Sequence, residues 1–336
     1  MRVVIVGGGM AGLVLARGLL HRGIAPVVVE RAPTGTVVDG PIMLPFQAYD
    51  ALDELGLMEP IRAAGRDVPP FRDGRPVAIG VGRQLVLERL REGLEILWDH
   101  EVTGLVRDGD RVTGVRVHGP DGDRDVPADI VVGADGTHSR VRELAGFPAE
   151  LRVSDTAFMS FRSPARCEEA FLIHFTSDGR QLTLLDWPGG SAGGWQIDRP
   201  AGGADEALAP GVDAFKEAYL RLMPRAAEAV APVTDVFYRE VTEVRCELWW
   251  RPGVTLIGEA LHAMNPEAGI GSGLGMGDAQ ALAIAIARNA GNPDLALAEY
   301  ERWRRPAVAP YLAVGSQGVR VVRGGEIADE ERWPPR

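Results

Sequence analysis

Residues 1–30 read MRVVIVGGGMAGLVLARGLLHRGIAPVVVE. A β-branched run at 3–6 stops at Gly7, and Gly7, Gly9 and Gly12 follow in G-x-G-x-x-G spacing. An apolar-periodic segment at 10–21 and a second β-type run at 26–30 complete the stretch. The succession predicts strand, tight turn, helix and parallel strand. Gly7 permits the turn, Gly9 lets a pyrophosphate approach the backbone, and Gly12 lets helix and strand pack closely. Met10 and Ala11 lie in the same turn and join the candidate cofactor-binding set. Glu30, ending the second strand, can accept bonds from a ribose. The stretch is therefore a dinucleotide site in the context that motif requires. NAD and FAD share their adenosine half, so these residues do not separate them.

Two later stretches have the same strand, glycine, helix grammar. Residues 253–280, GVTLIGEALHAMNPEAGIGSGLGMGDAQ, run from a strand at 254–257 through Gly258, Glu259, His262 and Pro266. They then climb through Gly269, Gly271 and Gly273 into an Ala-rich helix from about Gly275. The turn 271–274 (Gly271, Ser272, Gly273, Leu274) puts backbone N–H groups and a positive helix end together, a cradle for an electron-rich ligand. Residues 128–142, ADIVVGADGTHSRVR, give a buried-type strand ending in Gly133-Ala134-Asp135-Gly136, then a helix with Thr137 or Ser139 as its cap.

With all three in order, the chain resembles the FAD-dependent monooxygenases of the para-hydroxybenzoate hydroxylase type. That family is marked by an N-terminal glycine motif, a central aspartate-glycine motif, and a late glycine-aspartate motif followed by an alanine-histidine pair and a proline. Residues 39–57, DGPIMLPFQAYDALDELGL, are similar to its loop beside the isoalloxazine and the helix after it. Arg83 falls where the family starts a helix near the flavin, and Val102, within residues 101–103, where a strand touches the adenine. Arg31 matches a side chain that clamps the adenosine part. YERWRRP at 300–306 is similar to a C-terminal helix signature. Three positions depart from the pattern: Glu259 replaces an aspartate that bonds the ribityl chain, and Ile270 and Gly273 stand for a glutamine and an asparagine.

The resemblance implies an α/β fold: a Rossmann-like, glutathione-reductase-like FAD-binding domain with an inserted mixed β-sheet substrate domain and C-terminal helices. The expected boundaries are 1–66, 98–157 and 251–292 for the FAD-binding domain, 67–97 and 158–250 for the substrate domain, and 293–336 for the C-terminal segment. It also implies the cofactor set Gly7, Gly9, Met10, Ala11, Gly12, Glu30, Arg31, Arg83, Val102, Asp135, Gly258, Glu259, Gly271, Ser272, Gly273 and Leu274. In the family NAD(P)H, bound transiently, reduces FAD, O2 adds to it, and a flavin C4a-hydroperoxide hydroxylates or epoxidises an aromatic or polycyclic small molecule. Two alternatives stay open on the residues: an FAD enzyme of non-oxygenating chemistry (isomerase, cyclase or dehydrogenase), and a non-catalytic dinucleotide-binding protein.

The rest of the chain is read more plainly. Strands are expected at 95–101, 103–108 and 111–117 as a meander, then at 158–162, 171–175, 181–186, 194–197 and 233–239, with a helix at 213–222. Arg162, Asp186, Trp195, Tyr238 and Pro266 are substrate-pocket candidates, with strand parity left open. His174 reads as a satisfied sheet histidine, His262 as support for its loop, and Pro334-Pro335 as a frayed end. The chain has 336 residues, 46% of them apolar, and a formal charge of -11, ordinary for a protein with a sizeable core and against a nucleic-acid partner. No apolar run reaches membrane-spanning length, and the start lacks a signal-peptide pattern. Cys167 and Cys246 alone make neither a disulfide framework nor a metal site, so a cytoplasmic location is expected.

Overall fold

The computed structural model describes residues 1–38, 40–266, 269–315 and 332–334. Its central layer is a six-stranded sheet with the spatial order 250–251, 254–256, 130–133, 3–6, 27–30, 95–98. Five strands run parallel, and Trp250–Arg251 joins Val254–Leu256 antiparallel at one edge. Val3–Val6 and Ile130–Gly133 are buried along their whole length, as the unbroken apolar runs require for parallel strands covered on both faces. Helix Met10–His21 packs between helices Arg83–Arg91 and Gly271–Arg288.

The meander forms one strand later than expected. Glu95–Trp98 pairs parallel with Val27–Glu30 and closes the edge of the central sheet. Asp99, at a φ of +57°, ends that strand. The meander is Glu101–Asp108, Arg111–Gly119 and Gly122–Pro127. Residues 67–97 likewise split: Arg75–Gly82 pairs antiparallel with both Pro41–Pro45 and Arg66–Arg72 in a small three-stranded sheet, whereas 83–98 returns to the dinucleotide layer.

A five-stranded sheet with the order 171–175, 181–187, 190–198, 149–163, 236–246 has every pairing antiparallel. Helix Gly211–Leu222 covers one face, burying Phe161, Trp195, Phe215 and Tyr219. The Phe161 and Tyr219 rings meet edge to face at 5.1 Å, and Tyr219 donates its hydroxyl to Thr183 O at 2.7 Å. Trp333 also joins this core, its ring 5.3 Å from Phe215 and its indole N–H donating to Ala207 O at 3.0 Å. The chain is thus anchored immediately before Pro334, where a frayed end was expected; Pro335 lies outside the described residues. Helix Pro293–Gly315 docks on the central layer through Tyr300, whose hydroxyl donates to the Leu256 carbonyl at 3.2 Å. No described helix is long and apolar enough to cross a membrane.

Candidate functional site

The three glycine turns leave the central sheet at one edge. Val6 is in register with Gly133, and Gly133 with Leu256. Ala134 N donates to Val6 O at 2.8 Å and Ile257 N to Gly133 O at 3.0 Å, so the ladder continues into the turns. A methyl on Gly7, at a φ of +112°, would fall 2.3 Å from Ala134 O. A methyl on Gly258 would fall 3.3 Å from Ala11 Cβ, and Gly275 is equally close to both. The first, second and third motifs are therefore in direct contact, at the carboxyl ends of parallel strands where open α/β sheets bind ligands.

Behind the third turn lies a buried charge network. Asp278, fully buried, takes His262 Nε2 at 2.6 Å and Arg304 Nε at 2.9 Å, and accepts from the Gly258 amide at 3.1 Å. Arg304 also donates to Leu274 O at 3.1 Å. Burial pushes the Asp278 carboxyl up, but His262, Arg304 and the Gly258 amide outweigh it and hold the group below the usual carboxylate range. His262 therefore supports its loop, as expected, by bonding this carboxylate. Asp278 and Arg304 escape sequence reasoning, although an acid inside an Ala-rich apolar helix is a usable signal.

At the end of the second strand, Glu30 accepts from the amides of Gly8 at 2.6 Å and Ala32 at 2.8 Å. Its carboxylate is thereby fixed over the first turn, with lone pairs remaining. Arg31 is exposed beside it. Val102 is buried, pairs with Val117, and precedes a register shift between Val102 and Gly104. The Asp135 carboxylate accepts from Ser139 Oγ at 2.5 Å and from the amides of Arg140 and Val141. Ser139, one of the two expected caps, accepts from Arg142 N at 3.0 Å.

An FAD fits this edge. A methyl on Gly9 would meet nothing within 4 Å, so the backbone is open there. The first intrahelical bonds are Leu13 N to Gly9 O and Leu274 N to Ile270 O. The amides of Met10, Ala11 and Gly12, and of Gly271, Ser272 and Gly273, thus have no acceptor within their helices. Arg83 Nε, at the start of helix Arg83–Arg91, and Gln47 Oε1 are buried without a hydrogen-bond partner. Burial lowers the Arg83 pKa, the charges of Arg239 and Arg162 lower it further, and Glu259 opposes them. Glu259 is exposed, and Thr137 Oγ1 donates to its carboxylate at 3.4 Å.

The second sheet sorts the substrate-pocket candidates by face. Trp195 is in register with Met159, as is Tyr238, and Met159 is buried under helix Gly211–Leu222. Trp195 and Tyr238 therefore belong to the helix-covered face and not to a pocket. Asp186 is fully buried, bonded by Arg66, by Arg166 Nε at 2.9 Å and by the Cys167 amide at 2.7 Å. Burial raises its pKa and the two arginines and the amide more than reverse this, so it is a structural anion. Arg162 alternates with Phe161 and faces the other way, towards Gly40. Pro266 is exposed in the loop after His262, its carbonyl accepting from Gly269 N at 2.8 Å. Asn265, beside it, donates to Thr156 Oγ1 at 3.2 Å, so this loop touches the sheet on the face opposite the helix.

Comparison with known proteins agrees with this geometry. A family profile described as FAD binding domain matches residues 1–72 and 80–313. The chain is 31% identical to 6-methylpretetramide 4-monooxygenase of Streptomyces rimosus, over 79% of this chain and 70% of that one. It is 27% identical to 3-amino-4-hydroxybenzoate 2-monooxygenase of Streptomyces cremeus, over 92% of this chain and 84% of that one. The crystal structure of PqsL, described as a probable FAD-dependent monooxygenase from Pseudomonas aeruginosa, superposes with a TM-score of 0.77 at 25% identity, covering 96% of each chain. With its three motifs gathered at one strand edge, the chain belongs to the FAD-binding-domain family, among the FAD-dependent monooxygenases of the para-hydroxybenzoate hydroxylase type.

Proposed function

We propose that the chain holds FAD along this strand edge and, with NAD(P)H as transient reductant and O2 as co-substrate, hydroxylates or epoxidises an aromatic or polycyclic small molecule. The observation that carries the reading is the contact of Gly7 with Ala134 and of Gly258 with Ala11, which brings three motifs from distant parts of the sequence onto one elongated surface. The relatives named for 6-methylpretetramide and 3-amino-4-hydroxybenzoate support the substrate class.

In this reading the amides of Gly9 to Gly12 and the helix they open take the pyrophosphate. Glu30 and Arg31 take the adenosine ribose and its surroundings, and the backbone at Val102 takes the adenine. Asp135 holds the second turn in shape, while Glu259 reaches a ribityl hydroxyl from its exposed position after Gly258. The amides of Gly271, Ser272 and Gly273, with Leu274 behind them, face the flavin edge that gains negative charge on reduction. Arg83, whose buried Nε has no partner among the described residues, would contribute a donor to the bound group. Bound FAD supplies redox chemistry that the side chains lack; the protein binds, orients and excludes water.

An absorbance spectrum of the purified protein tests the cofactor, and NADPH-dependent O2 uptake on adding aromatic candidates tests the reaction. A colourless protein that cannot be reconstituted with FAD would refute the reading. Glu259→Ala, folded and compared with wild type, is expected to lose flavin occupancy; full occupancy would remove that role from Glu259.

A further inference from the structure

Strand Ala149–Ser163 pairs with Val236–Cys246 in two blocks that do not share a register. Val153 stands opposite Thr242 and Ala157 opposite Glu240, so Ser154, Asp155 and Thr156 face Val241 alone. Such an excess of residues interrupts the ladder and leaves the interruption to be held by side chains. Ser154 and Thr156 are buried there, as are Gln196 of the neighbouring strand and Asn265 of the loop after His262.

One hydroxyl joins these side chains. Thr156 Oγ1 accepts from Asn265 Nδ2 at 3.2 Å and from Gln196 Nε2 at 3.3 Å, and it lies 3.1 Å from Ser154 Oγ. A carboxamide nitrogen only donates, so both lone pairs of the hydroxyl are taken and its proton is left for Ser154. Ser154 Oγ also accepts from the Thr156 amide at 3.2 Å, which closes the bulge on itself. The loop after His262 thus meets the strand pair on both sides of the slip. Ala263 O accepts from Val244 N at 2.8 Å in one block, and Asn265 is held by Thr156 where the other begins. Backbone pairing does not fix how two blocks out of register sit on that loop, whereas a buried hydroxyl with every donor and acceptor in use does.

We propose that Thr156 is a positioning residue, its hydroxyl fixing the loop at 263–266 against the second sheet and so setting the height of the space between that sheet and the third glycine turn. The role rests on the monooxygenase reading above, in which a flavin lies against that turn and a substrate under the sheet. Thr156 touches neither. It acts through Asn265, and Asn265 through its neighbour Pro266, whose carbonyl accepts from the Gly269 amide at 2.8 Å just before the turn at 271–274.

Hydrogen–deuterium exchange of the FAD-loaded protein, read peptide by peptide, tests the role. Thr156→Val keeps the side-chain shape and removes the hydroxyl. Peptides spanning 258–266 should then exchange about threefold or more faster than in wild type, the effect of one lost hydrogen bond, while those carrying the strands at 3–6 and 130–133 stay unchanged. Thr156→Ser should restore the wild-type rates. Asn265→Ala should reproduce the effect of Thr156→Val, and the double variant should add little to either, as expected of partners in one network. Acrylamide should quench the bound flavin more strongly in Thr156→Val than in Thr156→Ser. Unchanged exchange at 258–266 in Thr156→Val overturns the proposal. So does a Thr156→Ser protein that behaves like Thr156→Val, or an acceleration spread evenly over the central sheet, which would make the role merely structural. Should Thr156→Val fail to fold, Asn265→Ala carries the same comparison with the same outcomes. A protein that holds no FAD fails the monooxygenase reading instead, and the exchange rates of the apoprotein variants then decide the positioning role.

Discussion

His262 Nε2 and Asp278 Oδ2 lie 2.6 Å apart in the interior, and the same carboxylate oxygen accepts from the Gly258 amide at 3.1 Å. Two residues that would never touch a ligand thereby fix the turn that carries Glu259. Gly258 needs this restraint, because its φ of +60° and ψ of -139° lie in a region that other residues avoid.

Replacing Asp278 by Asn removes the buried anion and leaves the half-buried Arg304 without it. Breaking a buried ion pair on one side costs about 3–5 kcal/mol. Denaturant unfolding of the Asp278→Asn apoprotein should show a loss of that size, and the holoprotein should shed FAD more readily on gel filtration. Wild-type stability with normal retention would mean that the network is dispensable.

The same carboxylate sets an acid limit. Asp278 titrates lower folded than unfolded, so the stability it contributes is complete above about pH 4, the ordinary aspartate range. It is lost progressively as pH falls from there towards the depressed folded value. Thermal melts between about pH 3 and 7 should show the wild-type Tm falling faster below pH 4 than that of Asp278→Asn. Parallel curves would assign the acid limb to other carboxylates, Asp186 being the next candidate, since it too is buried and held low.

Gly9 and Gly12 separate cofactor binding from folding. A methyl on Gly9 meets no protein atom within 4 Å, whereas one on Gly12 would sit 2.1 Å from Gly7 O. Gly9→Ala should therefore leave the apoprotein Tm unchanged while weakening FAD binding. Gly12→Ala should destabilise the apoprotein itself, by the order of 1–3 kcal/mol typical of overpacking. Apoprotein melts and FAD titrations of the two variants check this, and equal behaviour of the pair would contradict the division.

The strand-turn-helix edge was legible in the sequence because each of its requirements is local: a run of β-branched residues, a glycine at fixed spacing, a cap. The second sheet was not. Strands Gln181–Trp187 and Gly190–Asp198 are buried along most of their length, so apolar alternation gives no parity there, and the strand Ala149–Ser163 slips register between Val153 and Ala157. Asp186 looked like a pocket acid because its partners Arg66 and Arg166, 120 and 20 residues away in the chain, are brought to it by tertiary packing.

Parity makes a prediction of its own. Trp195→Ala removes a ring that contacts Phe215 and Trp333 under the helix, at centroid distances of 6.1 Å and 5.9 Å. It should cost about 3–5 kcal/mol of stability, as large aromatic truncations do. In the folded fraction the KM for an aromatic substrate should stay close to wild type. A large KM change at modest destabilisation would put Trp195 back in the pocket.

Gly273 tests whether a departure from the family pattern is compensated locally. The resemblance puts an asparagine at this position, yet here a methyl would lie 2.8 Å from Pro45 Cγ, 2.9 Å from Gln47 Cβ and 3.3 Å from the Ala48 amide. Residues Pro45 to Ala48 pack against the helix start and occupy the space a side chain would need. Restoring the family residue by Gly273→Asn should therefore harm the protein: the loop must move, at about 1–3 kcal/mol for the overpacking, and Gln47 and the helix-start amides move with it. The Tm and the FAD occupancy should fall together. Because the clash is with Pro45 first, Pro45→Ala in the Gly273→Asn background should recover part of both, a non-additivity expected of residues in contact. A Gly273→Asn protein with unchanged Tm and higher flavin occupancy would show instead that the loop yields freely, and that the missing asparagine is a defect in cofactor binding rather than the counterpart of a tighter loop.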